Sequence, residues 1–171
     1  MILDDAQGKG HITRIVVGNP KRHATTSIAH HVAAERGESI GQSVGYCIGA
    51  STEGSGKMHA HAVNSILYST EGCLVNLLRK FEFTHIIIDE VHERGLGVDV
   101  LLMEVRKLVT VQDNLKVIFM SATVNVDLYR HYFVKPMQPP EGNGLPGVSV
   151  KVIELGGGSS RVITYYYDEV G

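Results

Sequence analysis

The sequence has little that would tie it together covalently. Its two cysteines, Cys47 and Cys73, cannot form a disulfide framework or a four-cysteine zinc site. Both read as buried small hydrophobes, and a reducing intracellular compartment is the expected setting. No apolar run approaches the ~20 residues that a membrane-spanning helix requires, so no membrane association is expected. The opening Met1-Ile2-Leu3-Asp4-Asp5 lacks the basic-then-apolar order of a secretory signal. Nor is positive charge in excess: sixteen Lys and Arg stand against eighteen Asp and Glu, a formal charge of -2. Any nucleic acid must therefore be held by a local patch rather than by a globally basic surface. What the 171 residues do have is 43% hydrophobic and 20% charged side chains. That suffices for one buried core and excludes a disordered or collagen-like chain.

Hydrophobic patterning predicts alternating strands and helices. Residues 7–11 read as a polar loop, and Ile12-Thr13-Arg14-Ile15-Val16-Val17 as a β-branched strand ending at the turn signal Gly18-Asn19-Pro20. A helix is predicted over 25–36, with Ile28/Val32 and Ala29/Ala33 at i,i+4 and Gly37 as its left-handed stop. Strands are predicted over 43–48 and 62–68, with a loop over 49–61 between them. Thr70 opens a helix bearing Leu74, Leu77, Leu78 and Phe81 on one face.

The clearest element is His85-Ile86-Ile87-Ile88-Asp89. Three consecutive Ile fit a strand covered on both faces, as in a parallel sheet. A helix over 98–109, a strand over 116–120 and a short helix around Leu128 and Tyr132, capped by Asn125, follow. Four of the five prolines, with three glycines, fall between Pro136 and Gly147, which reads as a loop or insertion. Two further strands are predicted over 148–155 and 161–167. The alternation indicates an α/β domain with a largely parallel sheet.

Ligands gather at the carboxyl ends of strands in such sheets. Three polar clusters stand there: Asn19-Pro20-Lys21-Arg22, Asp89-Glu90-Val91-His92-Glu93-Arg94 and Ser121-Ala122-Thr123. Phosphoryl transfer needs a carboxylate for a divalent cation and a second group for the attacking water. Asp89 suits Mg²⁺, reached through water, and Glu90 suits the water. The plain alternative is an acidic turn that starts a helix. Likewise Lys21 and Arg22 suit phosphate contact but also fit a solvated turn. Thr70 suits a phosphate at a helix start but also an ordinary N-cap. Ser121-Ala122-Thr123 alone is no more than a strand exit.

The set of clusters resembles the DEAH-box branch of superfamily-2 helicases, which includes the RNA helicase A-like enzymes. The segment from Asp89 to Arg94 is similar to their motif II, and Ser121-Ala122-Thr123 to motif III. Val16-Val17-Gly18-Asn19-Pro20-Lys21-Arg22 resembles motif Ia, and Thr70-Glu71-Gly72-Cys73-Leu74 resembles motif Ib. Ala33-Ala34-Glu35-Arg36-Gly37-Glu38 and Val44-Gly45-Tyr46 also fit the family.

The resemblance implies a RecA-like parallel sheet with helices on both faces, the first helicase domain in incomplete form. It implies ATP and Mg²⁺ as cofactors. Asp89 and Glu90 would serve the metal, and Asp89, Glu90 and His92 the nucleotide and its hydrolysis. Pro20, Lys21, Arg22, Thr70 and Gly72 would touch the RNA backbone. Ser121, Ala122 and Thr123 would couple hydrolysis to movement against a second RecA-like domain. Residues 1–134 would be the partial ATP-binding domain, 135–147 an insertion, and 148–171 strands leading toward the second domain.

Two departures stand out. The family's motif Ia usually reads Thr-Gln-Pro-Arg-Arg, where this chain has Gly18-Asn19-Pro20-Lys21-Arg22. After Tyr46 the family's Arg-Phe-Glu-like segment is replaced by Ile48-Gly49-Ala50-Ser51. A phosphate-binding loop, Gly-x-x-x-x-Gly-Lys-[Ser/Thr], is also missing. Gly8-Lys9 fails because Leu3 and Gly10 stand at the other required positions, and Gly56-Lys57 fails because of Ser51 and Met58. The chain is therefore expected to begin just downstream of that loop, as part of a longer protein, a truncated gene product or a remnant. Alone it is not expected to turn over ATP. The missing loop's strand normally sits in mid-sheet, so its neighbours are expected to expose unpaired backbone.

The leading expectation is part of an ATP-dependent RNA helicase. The rivals are a catalytically inactive RNA-binding or scaffold module, and another superfamily-2 ATPase acting on DNA or protein complexes. His59 and His61 are too few for zinc, and His30-His31 is expected at the surface. Tyr165-Tyr166-Tyr167 suits either base stacking or an aromatic edge strand.

Overall fold

The computed structural model describes residues 2–49, 62–93, 95–112, 114–121, 126–134, 148–154 and 161–167. The strands are β1 Arg14–Asn19, β2 Val44–Cys47, β3 Ser65–Thr70, β4 His85–Ile88, β5 Lys116–Ser121, β6 Val148–Glu154 and β7 Arg161–Tyr167. The helices are α1 Ile2–Gly8, α2 Arg22–Glu35, α3 Glu71–Leu78, α4 Leu96–Val109 and α5 Val126–Val134. One sheet runs in the order β2-β3-β1-β4-β5-β7-β6. The first five strands in that order are mutually parallel, β7 pairs antiparallel with β5, and β6 pairs antiparallel with β7. This is the α/β RecA-like arrangement expected from the sequence.

Helices cover both faces because strand side chains alternate. Val16, Ile86, Ile88, Val117 and Phe119 point to one face, where they meet Leu74 and Leu77 of α3, Leu101 and Val105 of α4, and Tyr129 and Phe133 of α5. Ile15, Val17 and Ile66 point to the other and meet Leu3 of α1. Ala29 and Ala33 of α2 pack with Val44 on that side, while Ile28 is exposed. Gly18 permits the close fit of α3 on β1, since a methyl group there would lie 2.5 Å from the Leu74 side chain. Leu74 is fully buried and has little room to retreat.

Several boundaries differ from the sequence reading. β1 runs through Gly18 to Asn19, because both residues pair with β3 in register. α2 begins at Arg22, a turn earlier than expected, so Arg22 is helical rather than in a loop and Lys21 is the N-cap residue. Gln7 and Gly8 belong to α1. Ile87 is only half-buried, so the second face of β4 is less covered than three consecutive Ile suggest. No gap opens in the parallel strands either. β1 pairs with β3 on one side and β4 on the other, and β7 pairs along the far side of β5. The expectation of unpaired backbone beside a missing strand is thus corrected for the described residues. Residues 50–61 of the loop predicted over 49–61, with His59 and His61, the cap Asn125 and the Pro/Gly-rich segment 135–147 lie outside the described residues.

His85 opens β4 at the amino edge of the sheet, and burial together with Lys116 lowers its pKa to about 4. The folded protein therefore favours the neutral ring. That contribution is complete above the ordinary pKa of 6.5 and is lost as pH falls toward 4. Between pH 7 and pH 4.5 the His85→Gln variant should lose about 2 kcal/mol less stability than the parent in denaturant titrations. Equal losses would show that His85 protonates freely in the fold.

Candidate active site

The sheet order places a switch point between β1 and β4. After β1 the chain moves through α2 to β2 on one side, and after β4 it moves through α4 to β5 on the other. A crevice opens outside the carboxyl ends of two adjacent strands whose connections diverge in this way. Strand register sets which residues border it. Asn19 lies beside Thr70, Gly18 beside Ile88, and Ile88 beside Phe119. Asn19, Thr70, Asp89 and Ser121 thus line one edge, contributed by β1, β3, β4 and β5.

Asp89 is half-buried and held at both oxygens. Its Oδ1 accepts from the Glu90 backbone N–H at 2.9 Å, and its Oδ2 accepts from Asn19 Nδ2 at 3.1 Å. Its own N–H donates to Gly18 O at 2.9 Å, extending the β1–β4 pairing by one residue. Glu90 then turns sharply, with φ 53°. For a residue with a Cβ this left-handed conformation costs ~1–2 kcal/mol, and such outliers cluster at working sites. The next residue is tied down: Val91 N–H donates to Met120 O at 3.2 Å, and Tyr129 Oη donates to Val91 O at 3.0 Å. Val91 itself is fully buried.

His92 joins two of the clusters. Its Nδ1 lies 3.3 Å from Glu90 Oε2 and 3.1 Å from Ser121 Oγ. One imidazole nitrogen therefore faces both the carboxylate of one strand exit and the hydroxyl of the next. A proton on Nδ1 donates toward either oxygen. Ser121 is buried, as the last residue of β5. Ala122 and Thr123 lie outside the described residues.

The cationic turn sits across the crevice. Asn19 Oδ1 accepts from the Lys21 N–H at 2.9 Å, and Thr25 donates to Lys21 O through both its N–H and its hydroxyl. Lys21 Nζ lies 2.7 Å from Glu93 Oε1. This ion pair holds the Lys21 ammonium above its usual pKa and the Glu93 carboxyl below its own. Pro20 is half-buried and Arg22 exposed. Thr70 occupies the N-cap position of α3, but its side chain makes no capping bond. Gly72 is exposed, with open space where a side chain would stand. Glu71 between them packs close to Gly97 of α4; burial pushes its carboxyl pKa up, and the Glu93 charge adds to the effect.

Of the residues singled out from sequence, Asp89, Glu90, His92 and Ser121 come together, and Lys21 reaches them through Asn19 and Glu93. Sequence reasoning passed over Asn19 and Glu93 as site residues. The available signal was an Asn at the end of an apolar strand, where its amide must find partners. Cys47 and Cys73 are both buried, and His30 and His31 are exposed, as expected.

No family model matches the chain. The human ATP-dependent DNA/RNA helicase DHX36 is 39% identical over 162 residues, 90% of this chain. The chain belongs to the DExH/DEAH-box helicase family. The Arabidopsis thaliana DExH-box ATP-dependent RNA helicase DExH1 is 35% identical over 155 residues, 86% of the chain. The probable ATP-dependent RNA helicase spindle-E of Anopheles gambiae is 37% identical over 139 residues, 79% of the chain. The chain spans 15%, 14% and 9% of these three helicases. Among the described residues, the turn over 89–93, Ser121 and the segments 19–22 and 70–72 stand on one sheet edge.

Proposed function

We propose that this chain is part of an ATP-dependent RNA helicase, coupling ATP hydrolysis to translocation or unwinding. The observation that carries the proposal is the convergence of Asp89, Glu90, His92 and Ser121 at the carboxyl edge of the sheet, in a chain of this family. Asp89 and Glu90 serve a magnesium–ATP complex. The donor set suits that ion: Mg²⁺ keeps several waters and takes one or two carboxylates plus substrate phosphates. Among the described residues there is no cluster of three or more His, Cys, Asp or Glu that would enclose a metal by protein ligands alone. When bound, the ion neutralises charge on the β- and γ-phosphates.

The chain's own residues supply the rest. Asp89 keeps lone pairs free on both oxygens after accepting its two hydrogen bonds. Glu90 orients the attacking water and takes its proton. His92 holds Glu90 on one side and Ser121 on the other, so a change at the phosphates is felt at the β5 exit. Ser121, Ala122 and Thr123 carry that change toward a second RecA-like domain, with residues 148–171 leading to it. Pro20, Lys21, Arg22, Thr70 and Gly72 hold the RNA backbone.

The test is ATP hydrolysis by the natural polypeptide that carries these residues, with and without single-stranded RNA. Stimulation by RNA is expected. RNA binding with no hydrolysis would favour the inactive scaffold instead. Repeating the titration with DNA at the same salt concentration separates the third reading. Arg22 supplies an independent check of the RNA surface. Arg22→Ala should make the dependence of log affinity on log salt shallower by ~0.7, the value of one lost phosphate contact on a single strand. An unchanged slope would remove Arg22 from the interface.

A further inference from the structure

Asn19 is 5% exposed at the end of β1, and both ends of its amide are engaged. The donor end holds Asp89 Oδ2 at 3.1 Å, and the acceptor end holds the Lys21 N–H at 2.9 Å. A planar amide cannot rotate to improve one of these bonds without spoiling the other. The residue therefore fixes the angle between the Asp89 carboxylate and the backbone of the cationic turn. A second tie spans the same crevice further out, from Lys21 Nζ to Glu93 Oε1 at 2.7 Å. That outer tie is open to solvent on both partners, with side chains 62% and 39% exposed, and a phosphate can compete for the same ammonium.

We propose that Asn19 is the positioning residue that orients Asp89 toward the magnesium–nucleotide complex and makes that orientation respond to RNA at Lys21. The inference rests on the function proposed above and deepens it by naming a route between the two ligands. When an RNA phosphate takes Lys21 Nζ, Glu93 is released and the turn is pulled toward the strand of RNA. The Lys21 N–H moves with it, the Asn19 amide follows its acceptor bond, and the Asp89 carboxylate follows the donor bond. This route is separate from the one through His92 and Ser121. It also gives a physical role to the Asn that stands where the family usually has Gln.

The test uses the natural polypeptide with Asn19→Ala, Asn19→Leu and Asn19→Gln. Affinity for a fluorescent ATP analogue is measured across Mg²⁺ concentrations, with and without an oligouridine strand, and thermal melting is recorded for each protein. Asn19→Ala should raise the Mg²⁺ concentration for half-maximal nucleotide binding by about 10-fold or more, the usual cost of losing a partner that orients a metal-binding carboxylate. The effect of RNA on that concentration should shrink as well. Asn19→Leu, which fills the space without an amide, should match Asn19→Ala and carries the test should the smaller variant not fold. Asn19→Gln, which returns an amide, should recover most of the loss; a merely structural role would not follow the amide in this way. Folded Asn19→Leu with the parental Mg²⁺ requirement would overturn the inference, as would Asn19→Gln no better than Asn19→Leu. A parent protein whose nucleotide binding and hydrolysis both ignore RNA would instead remove the helicase reading, and this inference with it.

Discussion

Replacing Glu90 with Gln is expected to lower RNA-stimulated ATP hydrolysis by about 10²- to 10⁴-fold, the usual worth of a positioned general base. The substitution keeps the shape of the side chain and removes its charge and basicity. An amide oxygen can still accept from His92 Nδ1, which lies 3.3 Å from Glu90 Oε2, so the link toward Ser121 survives. The backbone cost at φ 53° is paid equally by both residues. Asp89 keeps its bonds from Asn19 and from the residue-90 N–H, so nucleotide affinity should change little. Single-turnover hydrolysis, measured beside binding of a fluorescent nucleotide, separates chemistry from affinity. Hydrolysis within a few-fold of the parent would take Glu90 out of its assigned role.

The second large effect is on stability. Phe119 is fully buried in β5, with its ring centroid 5.6 Å from Tyr129 and 5.1 Å from Phe133 of α5. Phe119→Ala should cost ~3–5 kcal/mol, the transfer term plus the cavity left in a packed interior. That is a large share of a typical 5–15 kcal/mol for a domain. A fall in melting temperature of roughly 10 °C is the expected readout. The site should suffer too, because Phe119 lies two residues before Ser121, and Tyr129 Oη holds the Val91 carbonyl inside the turn over 89–93. A loss below about 1 kcal/mol would mean that α5 closes onto β5 and fills the void.

The two effects come from different kinds of information. Phe119 sits in a run of apolar residues, and a buried aromatic in a strand follows from that pattern. The helix after it was legible as well, since Leu128 and Tyr132 are spaced for one face. The exact limits of β1 and α2 were not. Gly18-Asn19-Pro20 carries every local mark of a turn, yet pairing with β3 holds Gly18 and Asn19 in the strand. A hydrogen-bonded partner outweighs local preference when both neighbours of a strand are present. Likewise Arg22 became helical because the Lys21 carbonyl finds donors in Thr25, one turn along.

By itself the sequence determined that this is an α/β chain with a parallel sheet and a carboxylate pair at a buried strand's tip. Those follow from composition, period and spacing, which are local properties of the chain; the likeness of four segments to helicase motifs came from resemblance to a family instead. Tertiary structure alone decided that Asn19 braces Asp89, that Glu93 covers Lys21, that His92 faces both Glu90 and Ser121, and that β7 runs beside β5. These partners lie between 29 and 72 residues apart in every side-chain pair but one. Contacts over such separations are set by strand order and register, and no local pattern in the sequence encodes which turn will face which.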